Sequence, residues 1–295
     1  MITVMGATGN TGKPVVLKLI KEGCQVRALS RGLDKLKPLT EQGAETLSGD
    51  VSDAAFLSRA FAGAEAAYVL IPPLYQADDL LAYQNRVGES IRKALSASGV
   101  RHVVFLSSLG AEQSTGTGPI VGLHLIENRL REMPGLNVLL LRAGYFFENH
   151  FGSLGLIKQQ GINGGAIAPD VPIAQIATRD IADAAASALL ERDFSGVVVR
   201  ELLGPRDLPM AEATRILGAK IGKPDLKYVQ FPYDAFAGAL LQIGFSANIA
   251  GLFAEMSGAI NAGRVRSLEG RNGRNTTRTT FEAFADTLAA AYKAQ

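Results

Sequence analysis

Short apolar runs rich in Val, Ile and Leu alternate with amphipathic stretches through the first half of the chain. This is the pattern of βαβ units, whose strands are covered on both faces and so carry few polar residues. Strands are expected near 2–5, 24–29, 45–48, 66–71, 102–106 and 137–141. The clearest helix is expected over 78–98, where Leu80, Val87, Ile91 and Leu95 share one face, Asp78 and Asp79 favour the start and Gly99 the end. Another is expected from Thr11 to Glu22, with an apolar stripe of Val15, Val16, Leu19 and Ile20 and a stop at Gly23. Pro14 falls in its first turn, where a missing N–H costs little.

Beyond Asn149 the alternation is less regular. Strands are expected near 173–177, 197–203 and 227–231, among helices near 179–192, 209–222 and 233–243. The pattern predicts an α/β fold: a doubly wound parallel sheet over 1–150, with a smaller C-terminal α/β lobe over 151–295 on the substrate side. No fixed-period repeat, low-complexity tract or Pro/Ser-rich linker separates the two, so they are expected to interleave.

The segment Gly6-Ala7-Thr8-Gly9-Asn10-Thr11-Gly12 sits between an expected strand and an expected helix, the context in which a glycine pattern has chemical meaning. Gly6 permits the sharp turn, Gly9 lets backbone approach a pyrophosphate, and Gly12 permits close packing of helix on strand. The helix N-terminus then meets the anion with free N–H groups and the positive end of its dipole. Thr8, Asn10 and Thr11 complete the loop.

The expected second strand ends at Ser30-Arg31, where a carboxylate would select the ribose hydroxyls of NAD. An arginine there can instead form charge-assisted bonds to a phosphate, with Lys35 assisting, so NADP(H) is favoured over NAD(H). Asp50 and Val51 follow the third strand, where the carboxylate can accept the adenine amino group, since Asp53 is better placed to cap the next helix. Ile71, Pro72 and Pro73 end the fourth strand as a stiff cleft wall, and Ser107 ends the fifth.

Composition narrows the field further. Hydrophobic residues make up 47% and charged residues 20%, too apolar for disorder and enough for a sizeable core. A net charge of +2 gives no global field for nucleic acid or an anionic membrane, so neither is expected as a partner. The start of the chain lacks the basic and apolar stretches of a signal peptide, and no apolar run is long enough to span a bilayer, so a cytoplasmic location is expected. Cys24 stands alone, and His102, His124 and His150 show no metal-ligand spacing, so neither a disulfide nor a metal is expected.

The glycine loop, Val26-Arg27-Ala28-Leu29-Ser30-Arg31, Gly49-Asp50, Leu141-Arg142-Ala143-Gly144-Tyr145-Phe146-Phe147-Glu148-Asn149 and Thr178-Arg179-Asp180-Ile181-Ala182 together resemble the NmrA-like family of atypical short-chain dehydrogenase/reductases. The resemblance covers nearly the whole chain. It implies a Rossmann domain, preferential NADP(H) binding and a small lobe closing over the nicotinamide. Some members are reductases of quinones, azo compounds, imines or phenolics, and others are sensors that bind dinucleotide and regulate partners without turnover.

No Tyr-x-x-x-Lys pair occurs here, and the lysine that catalytic members resembling this chain often carry four residues before the equivalent of Glu127 is replaced by Leu123. The candidate proton donors are His124, whose ordinary pKa lies near working pH, and Tyr145. Pro73, Tyr75, Tyr145, Phe146 and Asn149 are expected to line the substrate pocket, with Tyr233 and Phe236 as further candidates. Hydride transfer needs chiefly proximity and orientation, so the missing pair points to an NAD(P)H-dependent reductase of easy acceptors: quinones, azo compounds, imines or enones. The alternative is a dinucleotide sensor, for which Arg264, Arg266, Arg271, Arg274 and Arg278 are a candidate docking surface for a protein partner. The apolar stretch 233–262 either covers the substrate site or faces a second subunit as a homodimer.

Overall fold

The apolar runs of the first half become strands of one parallel sheet in the computed structural model, which describes residues 1–295. In chain order the first half holds β1 (Ile2–Val4), α1 (Gly12–Lys21), β2 (Val26–Ser30), α2 (Lys37–Glu41), β3 (Glu45–Ser48), α3 (Ala54–Phe61), β4 (Ala66–Val69), α4 (Leu80–Ala97), β5 (His102–Ser108), α5 (Ile120–Arg131) and β6 (Asn137–Ala143). The remainder holds β7 (Tyr145–Phe146), α6 (Leu154–Gln160), β8 (Asn163–Gly165), β9 (Gln175–Ile176), α7 (Thr178–Glu191), β10 (Val197–Leu202), α8 (Met210–Lys220), β11 (Tyr228–Gln230), α9 (Tyr233–Gln242), α10 (Ala247–Asn261) and α11 (Phe281–Ala294).

The sheet runs β10-β6-β5-β4-β1-β2-β3, with every pair parallel. Chain direction across the sheet reverses between β1 and β4, and in open α/β sheets ligands bind outside the strand C-termini at such a point. This is a Rossmann-type doubly wound fold. One face is closed by α1 and α7, with Val4, Val16, Leu19, Leu139, Ile181 and Leu189 in a common core. The other is closed by α3, α4 and α5 over Phe56, Val87, Ile91, Val103, Phe105 and Leu130. A third core, built by α6, α8 and α11 around Phe147, Ile157, Leu217, Phe281 and Phe284, holds the smaller lobe.

Local signals set the element ends. The Asp79 side chain accepts from the Ala82 N–H at the start of α4, and Gly99 beyond its end takes φ +74. Asp53 accepts from the Ala55 N–H and caps α3. Strand β10 pairs with β6 over six residues, and its preceding helix α7 packs on α1, so a division at residue 150 cuts through the sheet. The reason is physical: Val138–Ala143 needs a neighbour on its outer edge, and the next long β-rich run is 197–202. Helices α6 and α11 were not among the expected elements, and the strand expected over 173–177 shortens to two residues. No helix is long and apolar enough to cross a membrane.

Candidate functional site

At the C-terminal edge of β1 the chain turns through Gly6 at φ +63, a left-handed conformation that L side chains resist. The turn closes when the Gly9 N–H donates to the Gly6 carbonyl at 2.9 Å. A Cβ on Gly12 would lie 2.2 Å from that same carbonyl, so the start of α1 approaches the loop as only glycine allows. Gly12 is thus buried packing beneath the loop rather than part of the cleft surface, whereas Gly6, Thr8, Gly9, Asn10 and Thr11 line the cleft. No side chain caps α1, no acidic residue lies in its first turn, and the Asn10 and Thr11 N–H groups have no acceptor within the chain. Donors left open at a helix N-terminus suit a diphosphate.

The cleft above this loop has a volume of about 530 Å³. Ser30, Arg31, Val51, Ile71, Pro72, Pro73 and Tyr75 line one part of it, and Ser107, Ser108, Leu123, Phe146 and Asn149 another. Thr8 and Ser30 are joined through their hydroxyls at 2.8 Å, which ties the glycine loop to the end of β2. The exposed Arg31 donates through Nη2 to the Pro73 carbonyl at 3.3 Å.

Lys35 and Asp50 are not among the residues lining the cleft. The Asp50 carboxylate accepts from the Ser52 N–H at 2.9 Å and from the Ser52 hydroxyl at 2.7 Å. Those two bonds hold its carboxyl below the ordinary range against the opposing effect of burial, with lesser help from Arg31 and Arg86. Asp50 therefore secures the turn after β3, a local role that its distance from a helix start had concealed. Asp53 caps α3, as expected.

A smaller pocket of about 210 Å³ adjoins the cleft and shares Ser108, Ala143, Phe146 and Asn149 with it. Leu109, Ile120, Tyr145, Ile173, Met256 and Val265 give it an apolar lining without a charged residue. Desolvation pushes the Tyr145 phenol up to about 12, against a weaker pull from Asn149, so it stays protonated throughout the physiological range. Tyr233 and Phe236 do not reach this pocket. They belong to α9, which has no buried residue, while α10 and the segment after it supply Met256, Ile260 and Val265 instead.

His124 is excluded as a free proton donor toward the cleft. Its Nδ1–H donates to the Ala111 carbonyl at 2.8 Å, which leaves Nε2 to accept from Asn128 at 3.0 Å. The side chain one position earlier, Leu123, is the one that faces the cleft. Beneath Ser107 lies a buried network that residue spacing did not announce. The Glu127 carboxylate receives Arg142 Nε at 2.9 Å and Nη2 at 2.6 Å, Arg131 at 3.2 Å and the Ser107 hydroxyl at 2.6 Å. Burial opposes the charge on Arg142, but its hydrogen bonds to Glu127 and the carboxylates of Glu127, Glu112 and Glu201 outweigh that and raise its pKa.

The arginine-rich stretch is an ordered strap that holds Arg264 and Arg271 and leaves Arg266, Arg274 and Arg278 exposed. Glu201, buried at the end of β10, accepts from the Ser267 hydroxyl and from the Leu268 and Glu269 N–H groups. Arg271 is held by Asp207 and the Gly204 carbonyl, and Arg264 by the Gly116 carbonyl. The strap carries Val265 into the smaller pocket.

The sequence profile of the NmrA-like family matches residues 1–285. This chain belongs to the NmrA-like family. The family member is 29% identical over 266 residues to quinone oxidoreductase 2 of Escherichia coli, covering 86% of each chain. It is 29% identical over 241 residues to a (4-alkanoyl-5-oxo-2,5-dihydrofuran-3-yl)methyl phosphate reductase of Streptomyces griseus, covering 82% of this chain and 80% of that one. Among solved structures, an NADPH-dependent quinone oxidoreductase from Escherichia coli complexed with NADPH matches this NmrA-like chain with a TM-score of 0.81 at 25% identity, covering 98% of this chain and 99% of that one.

Proposed function

We propose that this NmrA-like protein binds NADPH along the larger cleft and reduces an uncharged, electron-poor acceptor of quinone type held in the smaller pocket. The observation that carries the reading is the continuity of the two cavities through Ser108, Ala143, Phe146 and Asn149, one polar and rimmed by an open helix N-terminus, the other apolar. The Escherichia coli quinone oxidoreductase named above, similar in sequence and in structure, supports the same chemistry.

In this reading residues 1–150, completed by α7 and β10, carry the dinucleotide, and the rest of 151–295 walls the acceptor side. The Asn10 and Thr11 N–H groups hold the diphosphate, with no arginine needed at that point. Arg31 exchanges its neutral partner, the Pro73 carbonyl, for the 2′-phosphate, a stronger charge-assisted bond. NADPH, when bound, supplies the hydride. Phe146 and the lining around it exclude water and hold the acceptor at the nicotinamide end. Tyr145 keeps its proton at working pH and donates a hydrogen bond to the acceptor oxygen as negative charge develops there.

Leu123 at the cleft wall supplies no cation, which favours acceptors that need little acid assistance. The smaller pocket likewise holds no cation for a phosphate ester, so the substrate named for the Streptomyces griseus relative does not suit it. The test is stopped-flow loss of NADPH absorbance with a panel of uncharged benzoquinones and naphthoquinones beside a phosphorylated enone. Rapid oxidation with the quinones and none with the phosphate ester is expected. No oxidation with any acceptor would overturn the reductase reading.

A further inference from the structure

The Ser107 hydroxyl has one proton, and the network beneath it settles where that proton points. Glu127 receives three guanidinium N–H bonds from Arg142 and Arg131, so its oxygens carry full negative charge and have nothing to donate. In the 2.6 Å contact between them, Ser107 is therefore the donor. A hydroxyl oxygen whose proton is spent keeps lone pairs only. Ser107 lines the cleft at the end of β5, two strands from the glycine loop and on the opposite side of β1 from Arg31. With the diphosphate on the loop and the extra phosphate at Arg31, this is the end of the cleft left for the nicotinamide.

We infer that Ser107 is an acceptor-only group, set in that state by Glu127, and that it selects the nicotinamide by accepting a hydrogen bond from the carboxamide N–H. Glu127 is then a positioning residue: it touches no ligand, and it fixes the direction of a hydrogen bond that does. The inference rests on the proposal that NADP(H) occupies the cleft. It adds to it that the nicotinamide amide nitrogen, and not its carbonyl, faces β5, which fixes the rotation of the carboxamide against the sheet edge. The arrangement also gives the Glu127–Arg142 pair a reason to be buried, since a buried ion pair is weak evidence for stability by itself.

Calorimetric titration of the whole protein with three probes tests this. NADP+ carries the amide N–H, its 3-acetylpyridine analogue replaces that NH2 with a methyl group, and 2′-phospho-ADP-ribose lacks the ring altogether. Wild-type protein is expected to bind NADP+ about tenfold more tightly than the acetylpyridine analogue, the worth of one such hydrogen bond. Ser107→Ala should weaken NADP+ to the level of the analogue and leave 2′-phospho-ADP-ribose unchanged. Glu127→Gln presents an amide that can donate to Ser107, frees the hydroxyl proton toward the cleft and should narrow or reverse the preference. A purely structural loss would weaken all three probes together.

Equal binding of NADP+ and the analogue by wild type, or tenfold discrimination that survives Ser107→Ala, overturns the inference. Should Glu127→Gln fail to fold, as shown by its melting transition, the Ser107→Ala comparison decides alone. Failure of 2′-phospho-ADP-ribose to bind wild type would instead overturn the dinucleotide reading beneath it.

Discussion

Arg31 stands exposed at the end of β2 with one neutral partner, the Pro73 carbonyl at 3.3 Å. A long single bond of this kind contributes little, so the guanidinium is available to a dianion at small cost. A charge-assisted bond to phosphate is worth about 1.5–3 kcal/mol, or roughly ten- to a hundredfold in affinity. Arg31→Ala is therefore expected to raise the Kd for NADPH by about that factor and leave NADH nearly unchanged, as read by fluorescence titration of both. Because the site is open, the preference should shrink as salt rises; equal losses for the two dinucleotides would remove Arg31 as the discriminator. At this scale the sequence was legible where a residue acts through its own backbone position, as in Gly6 and Gly12. It was not legible where the side chain's partner depends on the local turn geometry or on another segment: Ala111 and Asn128 hold His124, and Ser52 holds Asp50.

Elements extend the same argument. Strands β1, β4, β5 and β6 were readable because burial on both faces leaves apolar runs, and α4 because its stripe spans five turns between an aspartate cap and a glycine stop. Helix α11 has a weaker stripe, with alanines at many positions and phenylalanines that pack on Phe147, a contact no local pattern reveals. The order of the strap after α10 was hidden for a related reason: counting arginines does not reveal Glu201 and Asp207, which come from β10 and the loop beyond it. Glu201 is 3% exposed and accepts from two backbone N–H groups and one hydroxyl of the strap. Removing a buried acceptor of this kind costs about 1–3 kcal/mol for each donor left without a partner. Glu201→Ala is expected to loosen the strap and withdraw Val265 from the acceptor pocket. In steady-state kinetics the KM for a quinone should then rise about tenfold, while the Kd for NADPH stays within about twofold. A parallel loss of dinucleotide affinity would mean that the strap supports the whole cleft and not one wall of it.

The molecule as a whole is joined where His150 sits, buried between the segment after β7, β9 and α11. Its Nε2 lies 2.9 Å from the side-chain Oε1 of Gln175, and its ring lies 4.8 Å from that of Phe281. Gln175 spends its own N–H on the Leu208 carbonyl at 2.7 Å, so its oxygen is the acceptor and His150 carries its proton on Nε2. Burial lowers the pKa of His150 from an ordinary 6.5, against a smaller opposite effect of Gln175; burial and then Arg192 lower His102 in the same direction. In the unfolded chain both imidazoles regain the ordinary value and bind protons that the folded chain refuses. Stability is therefore complete above about pH 6.5 and falls as pH drops below it, with a slope of at most about 1.4 kcal/mol per pH unit for each histidine. The carboxylates held below their ordinary values, Asp50, Glu65, Glu89 and Glu282, lose their contributions only in more acidic solution, so the interval between pH 5 and 6.5 belongs to the histidines. Melting temperatures are expected to hold steady from pH 8 to 7 and to fall by a few degrees between 6.5 and 5.5, at about 2 °C per kcal/mol for a chain of this size. His150→Gln keeps a polar group beside Gln175 and removes the titration, and it should roughly halve that acid slope. A variant whose slope matches the wild type would assign the acid sensitivity to His102 or to the surface, and His150 would then be packing alone.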